Sequence, residues 1–264
     1  MDLGLKGRVA LVTGSSRGLG KAIAEALAQE GASVIINGRN SAAVGNTAFE
    51  IGCKSSVYPH QFVCDVTNTK RIKELFDEKI SKLDILVNNA GNLERFGSFE
   101  DLTEEDWQRS FDVTFMSAVR FINASLPYLR KSDQARIINI SSLTAHEPGN
   151  FNPHYGIAKS GLLNLTKYLS KYLGKDKILV NAICPSTLAG GGWDENIKDR
   201  AKRDGITPEK AEKIMRQEEN KKSPLGIMGE LSNVADLVVY LASSRANFLT
   251  GHCYNVDGGI TRSV

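Results

Sequence analysis

Arg8-Val9-Ala10-Leu11-Val12-Thr13-Gly14-Ser15-Ser16-Arg17-Gly18-Leu19-Gly20 decides how the whole chain is read. Its first half is a continuous apolar run rich in β-branched residues. That predicts a parallel strand buried on both faces. Its second half is a glycine turn. From Lys21 to Glu30, Ala22, Ile23, Ala26 and Leu27 recur at helical spacing, and Gly31 supplies the stop. Strand, glycine turn and helix together make a phosphate-binding unit. Glycine lets the backbone approach an anion, and a helix N-terminus offers free N–H groups and a positive dipole end. An ATPase loop requires Gly-x-x-x-x-Gly-Lys-Ser/Thr. Ser15 stands where its first glycine falls and Ala22 where its hydroxyl falls, so that reading fails twice. Gly-x-Gly-x-x-Gly is absent too; the order is Thr13-Gly-x-x-x-Gly-x-Gly20.

Working outward, Ser33–Asn37 reads as the second strand, ended by Gly38-Arg39-Asn40, and Ser41–Ile51 as a helix. Val57–Val63 reads as an irregular third strand, weakened by Pro59. Thr69–Leu83 is a helix by its apolar spacing. Asp84-Ile-Leu-Val-Asn88-Asn89-Ala90-Gly91 is the fourth strand and its exit, and Asn92–Glu100 is loop. Thr103 and Asp106 form a capping box before a helix running to about Leu129. Arg136–Ile140, Ile178–Ile183 and Gly251–Val256 complete seven strands, and Tyr155–Leu173 is a long amphipathic helix. Such alternation predicts an α/β fold, a doubly wound Rossmann-type domain whose parallel sheet carries helices on both faces.

Tyr155 and Lys159, four apart, lie on one helical face. An ammonium beside a phenol favours the phenolate, so the Tyr155 pKa is expected to fall from about 10 towards neutral. Such a group exchanges a proton with a carbonyl or alcohol oxygen. Ser142 ends the fifth strand beside Ser141. Its hydroxyl is a candidate donor to the same oxygen. The absence of a Gly-x-Ser-x-Gly elbow excludes a serine hydrolase of that kind.

Composition narrows the function classes. With 264 residues, 41% hydrophobic and 24% charged, the chain is of ordinary globular make-up. A net charge of +3 gives no electrostatic case for nucleic acid. Cys53, Cys64, Cys184 and Cys253 have no disulfide or zinc spacing, and the four histidines are scattered, so no metal is expected. No signal-peptide pattern and no membrane-length apolar run occurs, so a soluble cytoplasmic protein is expected.

The glycine loop, Asn88-Asn89-Ala90-Gly91, the Ser142-to-Tyr155 interval of 13 residues and Tyr155-x-x-x-Lys159 together resemble the short-chain dehydrogenase/reductase family. The resemblance runs from about residue 7 to 260. It implies one domain over 1–264, with a substrate lid at about 187–224 opened by Gly190-Gly191-Gly192 and containing a helix over Pro208–Asn220. It implies a nicotinamide cofactor held by Gly14, Ser16, Arg17, Gly18, Leu19, Gly20, Asp65, Val66, Asn89, Ala90, Gly91, Tyr155, Lys159, Pro185 and Thr187. The end of the second strand reaches the adenosine ribose. Gly38 stands where the family's NAD enzymes carry Asp, and Arg39 and Arg17 suit a 2′-phosphate, so the expected cofactor is NADP(H). Two solvated arginines are the alternative. The implied chemistry is reduction of a ketone or aldehyde, or the reverse, with Ser142, Tyr155 and Lys159 as catalytic residues. Asp112-Val113-Thr114 departs from the family's Asp-Val-Asn, so Thr114 occupies the place of the fourth catalytic residue and leaves the form of the proton relay open. A 3-oxoacyl-carrier-protein reductase, a sugar dehydrogenase, or an NADP-binding protein without turnover are the competing readings. Small-molecule substrates and a homotetramer or homodimer are the implied partners.

Overall fold

The structure, a computed structural model, describes residues 2–91 and 95–262. Residues 92–94, at the start of the expected loop after Gly91, lie outside the described residues. The strands are β1 (Val9–Val12), β2 (Ser33–Gly38), β3 (His60–Val63), β4 (Ile85–Asn88), β5 (Arg136–Ile140), β6 (Leu179–Pro185), β7 (Leu188–Ala189), β8 (Gly229–Glu230) and β9 (Cys253–Val256). Seven of them form one parallel sheet in the order β3-β2-β1-β4-β5-β6-β9. β7 and β8 pair separately.

The helices are α1 (Gly18–Gln29), α2 (Ser41–Lys54), α3 (Thr69–Lys79), α4 (Glu104–Phe111), α5 (Ser117–Leu129), α6 (Pro153–Tyr172), α7 (Gly192–Asp204), α8 (Pro208–Lys222) and α9 (Leu231–Ala242). Alternate strand residues feed two cores. Val12, Ile36 and Val87 pack with Ile23 and Leu27 of α1 and Val234 and Val238 of α9. Leu11, Ile35 and Leu86 pack with Phe76 of α3, Phe121 of α5 and Leu162 of α6. Both faces are therefore covered, which is why β1 and the centres of β2, β4 and β5 read as apolar runs.

The chain runs outward from β1 to β3, then returns to place β4 on β1's other side. This reversal opens a crevice at the strands' carboxyl ends. Register makes those ends level: Val12 pairs with Ile36 and with Val87. Buried polar groups then fix the crevice walls. Asn37 Oδ1 accepts from Gly14 N at 3.1 Å, and its Nδ2 donates to Phe62 O at 2.9 Å. Thr13 Oγ1 accepts from Asn89 N and Ala90 N, each at 3.0 Å. Asn89 Nδ2 donates to Thr13 O at 3.0 Å. A buried chain from Asn88 to Asn139 to Thr166, each link 2.8 Å, ties β4 and β5 to α6.

Several expected boundaries shift. β3 begins at His60, after Pro59, because proline removes a ladder donor. α1 begins at Gly18, inside the glycine turn. α3 ends at Lys79, short of Leu83. The Thr103–Asp106 capping box is present. The helix it opens is not continuous: a π turn over Asp112–Met116 separates α4 from α5. Beyond β6, two helices stand where the charged pattern predicts one. Trp193, Ile197 and Ala201 of α7 pack with Ala211 of α8 and Met228 in a small core of their own.

Candidate active site

The crevice between β1, β2 and β4 is a groove lined by Gly14, Ser16, Arg17, Arg39, Asp65, Val66, Asn89, Ala90 and Gly91. All nine are among the residues expected to hold a cofactor. The groove fits a phosphate-bearing nucleotide. α1 starts with no side-chain cap, so its first N–H groups face outward without a side-chain acceptor. Gly14 has φ 61°, and a Cβ there meets the Ala90 backbone at 3.1 Å. A side chain at that position fills the cradle an anion needs.

Charge is arranged where the groove meets the ends of β2 and β3. Arg39 Nη1 lies 3.9 Å from Asp65 Oδ2. Asp65 Oδ1 accepts from Thr67 N at 2.9 Å and Thr67 Oγ1 at 2.7 Å. Burial pushes the Asp65 carboxyl up, but the two Thr67 hydrogen bonds, Arg39 and Arg109 outweigh it and hold the group below its usual range. Arg17 Nη1 pairs with Glu195 Oε1 of α7 at 2.6 Å. Four lining residues were missed by sequence reasoning: Asn37, Cys64, Arg109 and Val113. A polar Asn37 ending an apolar strand was one usable signal. The four-residue spacing of Arg109 and Val113 was another.

On the other side of the glycine loop, a second cleft is lined by Leu19, Ser186, Thr187, Gly190, Trp193 and Asn196, among others. Gly191 rests on the loop: a Cβ there lies 3.0 Å from Gly18 Cα. Pro185 is the last residue of β6 and leads into this cleft. Gly20 is packed beneath the loop, where a Cβ meets Gly14 O at 2.5 Å. Gly18, Gly20 and Pro185 thus shape the walls rather than line them.

Ser142, Tyr155 and Lys159 are brought together at the carboxyl end of β5 and the first turns of α6. Ser142 lies beside the Tyr155 phenol and favours its ionised form. Lys159 Nζ sits over the Tyr155 ring, 5.5 Å from its centroid. The same Nζ donates to Ile140 O at 2.7 Å. Gly91 adjoins this cluster: a Cβ there lies 3.1 Å from Lys159 Nζ. The groove's inner end therefore reaches the lysine.

The expected fall of the tyrosine pKa is corrected. Burial pushes the Tyr155 phenol up to about 12, with the Ser142 hydrogen bond acting the other way. Four-residue spacing places the ammonium over the ring, and a backbone carbonyl holds it there. Thr114, in the π turn, is fully buried, and its hydroxyl has no partner among the described residues. Its methyl, Cγ2, lies 3.6 Å from the Gly91 Cβ position, farther than Lys159 Nζ at 3.1 Å. No hydrogen bond joins Thr114 to Lys159 in this arrangement.

Burial also pulls the Lys159 ammonium down to about 8, opposed by Cys184. The ordinary value is about 10.4. Between these values the unfolded chain binds the extra proton, so this group makes stability rise with pH across that window. Below about 8 the full cost is present. Lys159→Met removes it and leaves the Ile140 carbonyl unpartnered, which offsets part of the gain. The variant is expected to be more stable than wild type at pH 7 by roughly 2 kcal/mol. Urea melts at pH 7 and pH 10 check this: the gap narrows at the higher pH, and a gap independent of pH contradicts it.

Among the described residues, no group of three or more His, Cys, Asp or Glu could hold a metal ion, and no helix is long and apolar enough to cross a membrane.

A family model described as Enoyl-(Acyl carrier protein) reductase matches residues 14–261. The 3-oxoacyl-[acyl-carrier-protein] reductase of Aquifex aeolicus is 34% identical over 263 residues, covering 98% of this chain and 100% of its own. Among solved structures, L-sorbose reductase from Gluconobacter frateurii, complexed with NADPH and L-sorbose, has a TM-score of 0.93 at 30% identity over 100% of both chains. A 3-oxoacyl-[acyl-carrier protein] reductase from Brucella melitensis with bound NAD has a TM-score of 0.84 at 28% identity, covering 98% of this chain and 92% of that one.

Proposed function

The chain belongs to the short-chain dehydrogenase/reductase family of oxidoreductases, and from that premise we propose that it reduces a small ketone or aldehyde with NADPH, Tyr155 acting as the acid. The observation that carries the reading is the cluster of Ser142, Tyr155 and Lys159 at the inner end of the nucleotide groove. The cofactor, when bound, supplies the hydride. Everything else is done by the chain's own side chains. A phenol pushed up to about 12 is protonated at neutral pH, the state from which a carbonyl reduction draws its proton. Ser142 donates to the same substrate oxygen as its charge develops. Lys159 supplies a nearby positive charge as the phenol becomes phenolate.

NADP is favoured by Arg17, Arg39 and the lack of an acidic side chain at Gly38. The arginines now face Glu195 and Asp65 in exposed pairs, which are worth at most about 1 kcal/mol each. A phosphate dianion is a stronger partner for both. In the same reading α7 and α8 are a substrate lid within one domain, and the protein is a cytoplasmic homotetramer or homodimer. The likeness to L-sorbose reductase favours a keto-sugar as one substrate class. The likeness to the Aquifex enzyme favours a 3-oxoacyl thioester as another.

A panel of simple ketones, acetoacetyl thioesters and keto-sugars, each with NADPH and NADH, tests the reading. At least one class is expected to oxidise NADPH, with NADPH preferred at least about tenfold. NADPH bound tightly but oxidised by none of them points instead to a cofactor-binding protein without turnover.

A further inference from the structure

We propose that Thr144 is a positioning residue that makes Ser142 a pure hydrogen-bond donor to the substrate oxygen. The inference rests on the reductase reading above and adds a residue to it.

A serine hydroxyl has one proton to give and two lone pairs to fill. Left alone, such a group turns between donating and accepting. At Ser142 the choice is removed by the residue two positions on. Ser142 Oγ accepts from Thr144 N at 3.2 Å and from Thr144 Oγ1 at 3.0 Å. Both lone pairs are thereby occupied, and the proton points away from Thr144. Its remaining direction is the side where the Tyr155 phenol lies. Ser142 is then unable to accept the Tyr155 proton, so that proton is kept for the substrate. Two donors, one serine and one tyrosine, converge on one oxygen without competing for each other.

Thr144 is itself held in place. It lies in a short 3-10 turn, Leu143–Ala145, between β5 and α6. The next residue's carbonyl, Ala145 O, accepts from Ser160 Oγ of α6 at 2.8 Å. On the other side, Thr144 O approaches Gly156 so closely that a Cβ there meets it at 3.3 Å. Gly156 follows Tyr155. The turn carrying Thr144 is thus fastened to the helix carrying the acid, and the two donors keep one relative placement.

The test is a double-mutant cycle with Ser142→Ala. Thr144→Val keeps the shape and the backbone N–H and loses the hydroxyl. It is expected to lower kcat for carbonyl reduction about tenfold, since the donor is weakened and not removed. KM for NADPH, and NADPH affinity measured by protein-to-nicotinamide fluorescence energy transfer, stay at wild-type values. Thr144→Ser restores kcat. In the Ser142→Ala background Thr144→Val has no further effect. If Thr144→Val does not fold, Thr144→Ala takes its place in the same cycle. An undiminished kcat, a Thr144→Ser variant as impaired as Thr144→Val, or an equal loss in the Ser142→Ala background overturns the inference. A Tyr155→Phe chain measured alongside separates the two levels. If it is inactive while Thr144→Val is unimpaired, the reductase reading stands and this inference fails. If Tyr155→Phe is fully active, the reading beneath it fails.

Discussion

Tyr155→Phe is expected to reduce kcat for NADPH-dependent carbonyl reduction by about 10³-fold, within the range of a lost general acid. The substitution deletes one oxygen and keeps the ring. Ring packing is preserved, including the Lys159 ammonium over its face. The nucleotide groove is built from β1, β2, β4 and their loops, and its lining does not include Tyr155. NADPH affinity is therefore expected to change less than about threefold, which is well under 1 kcal/mol. The separation of the two readouts is the point of the measurement. A loss of kcat with binding intact assigns the proton to Tyr155. A variant that turns over at wild-type rate removes Tyr155 from the chemistry and leaves Ser142 and Lys159 without a reacting partner.

That prediction rests on a cluster whose members were legible from spacing, while its electrostatics were not. Tyr155 lies thirteen positions after Ser142, and a strand end plus a helix start brings them together. Spacing does not say where a long side chain ends. Lys159 reaches the Ile140 carbonyl, so burial dominates the phenol and moves it up instead of down. The sheet was readable for a simple reason: a strand buried on both faces is mostly apolar, as β1 is throughout and as β4 and β5 are apart from Asn88, Arg136 and Asn139. The π turn at Asp112–Met116 was not readable, because the apolar pattern continues across it and only the backbone bonding changes. α7 was hidden in a charged stretch behind three glycines. Its apolar stripe of Trp193, Ile197 and Ala201 is short and serves a separate small core. Arg109 was overlooked because a helix face turned to a groove looks like one turned to solvent until the groove is known.

Gly38→Asp, which looks like a conversion from NADP to NAD, is expected to weaken both cofactors by about 100-fold. The reason is steric before it is electrostatic. The backbone at Gly38 is not left-handed, so the conformation admits a side chain. The space does not: a Cβ there falls 2.9 Å from Ser16 Oγ, 2.9 Å from Val44 Cγ2 and 3.0 Å from Ser16 Cβ. Ser16 cannot easily retreat, because Thr47 Oγ1 donates to its carbonyl at 2.8 Å. Overpacking of this kind costs about 1–3 kcal/mol, and the strain falls on the glycine loop proposed to hold the phosphates. At 1.4 kcal/mol per factor of ten, the upper part of that range is about 100-fold. The new carboxylate also repels a 2′-phosphate, which deepens the loss for NADPH, and it lies on the side of the groove already held by Asp65. Fluorescence titration with NADPH and NADH measures both affinities. Combining Gly38→Asp with Ser16→Gly and Val44→Ala opens the space and is expected to recover NADH binding selectively. Tight NADH binding by the single variant shows that the loop yields and refutes the steric account. Undiminished NADPH binding shows that the 2′-phosphate does not lie beside Gly38, and with it falls the reason for assigning Arg39 to that phosphate.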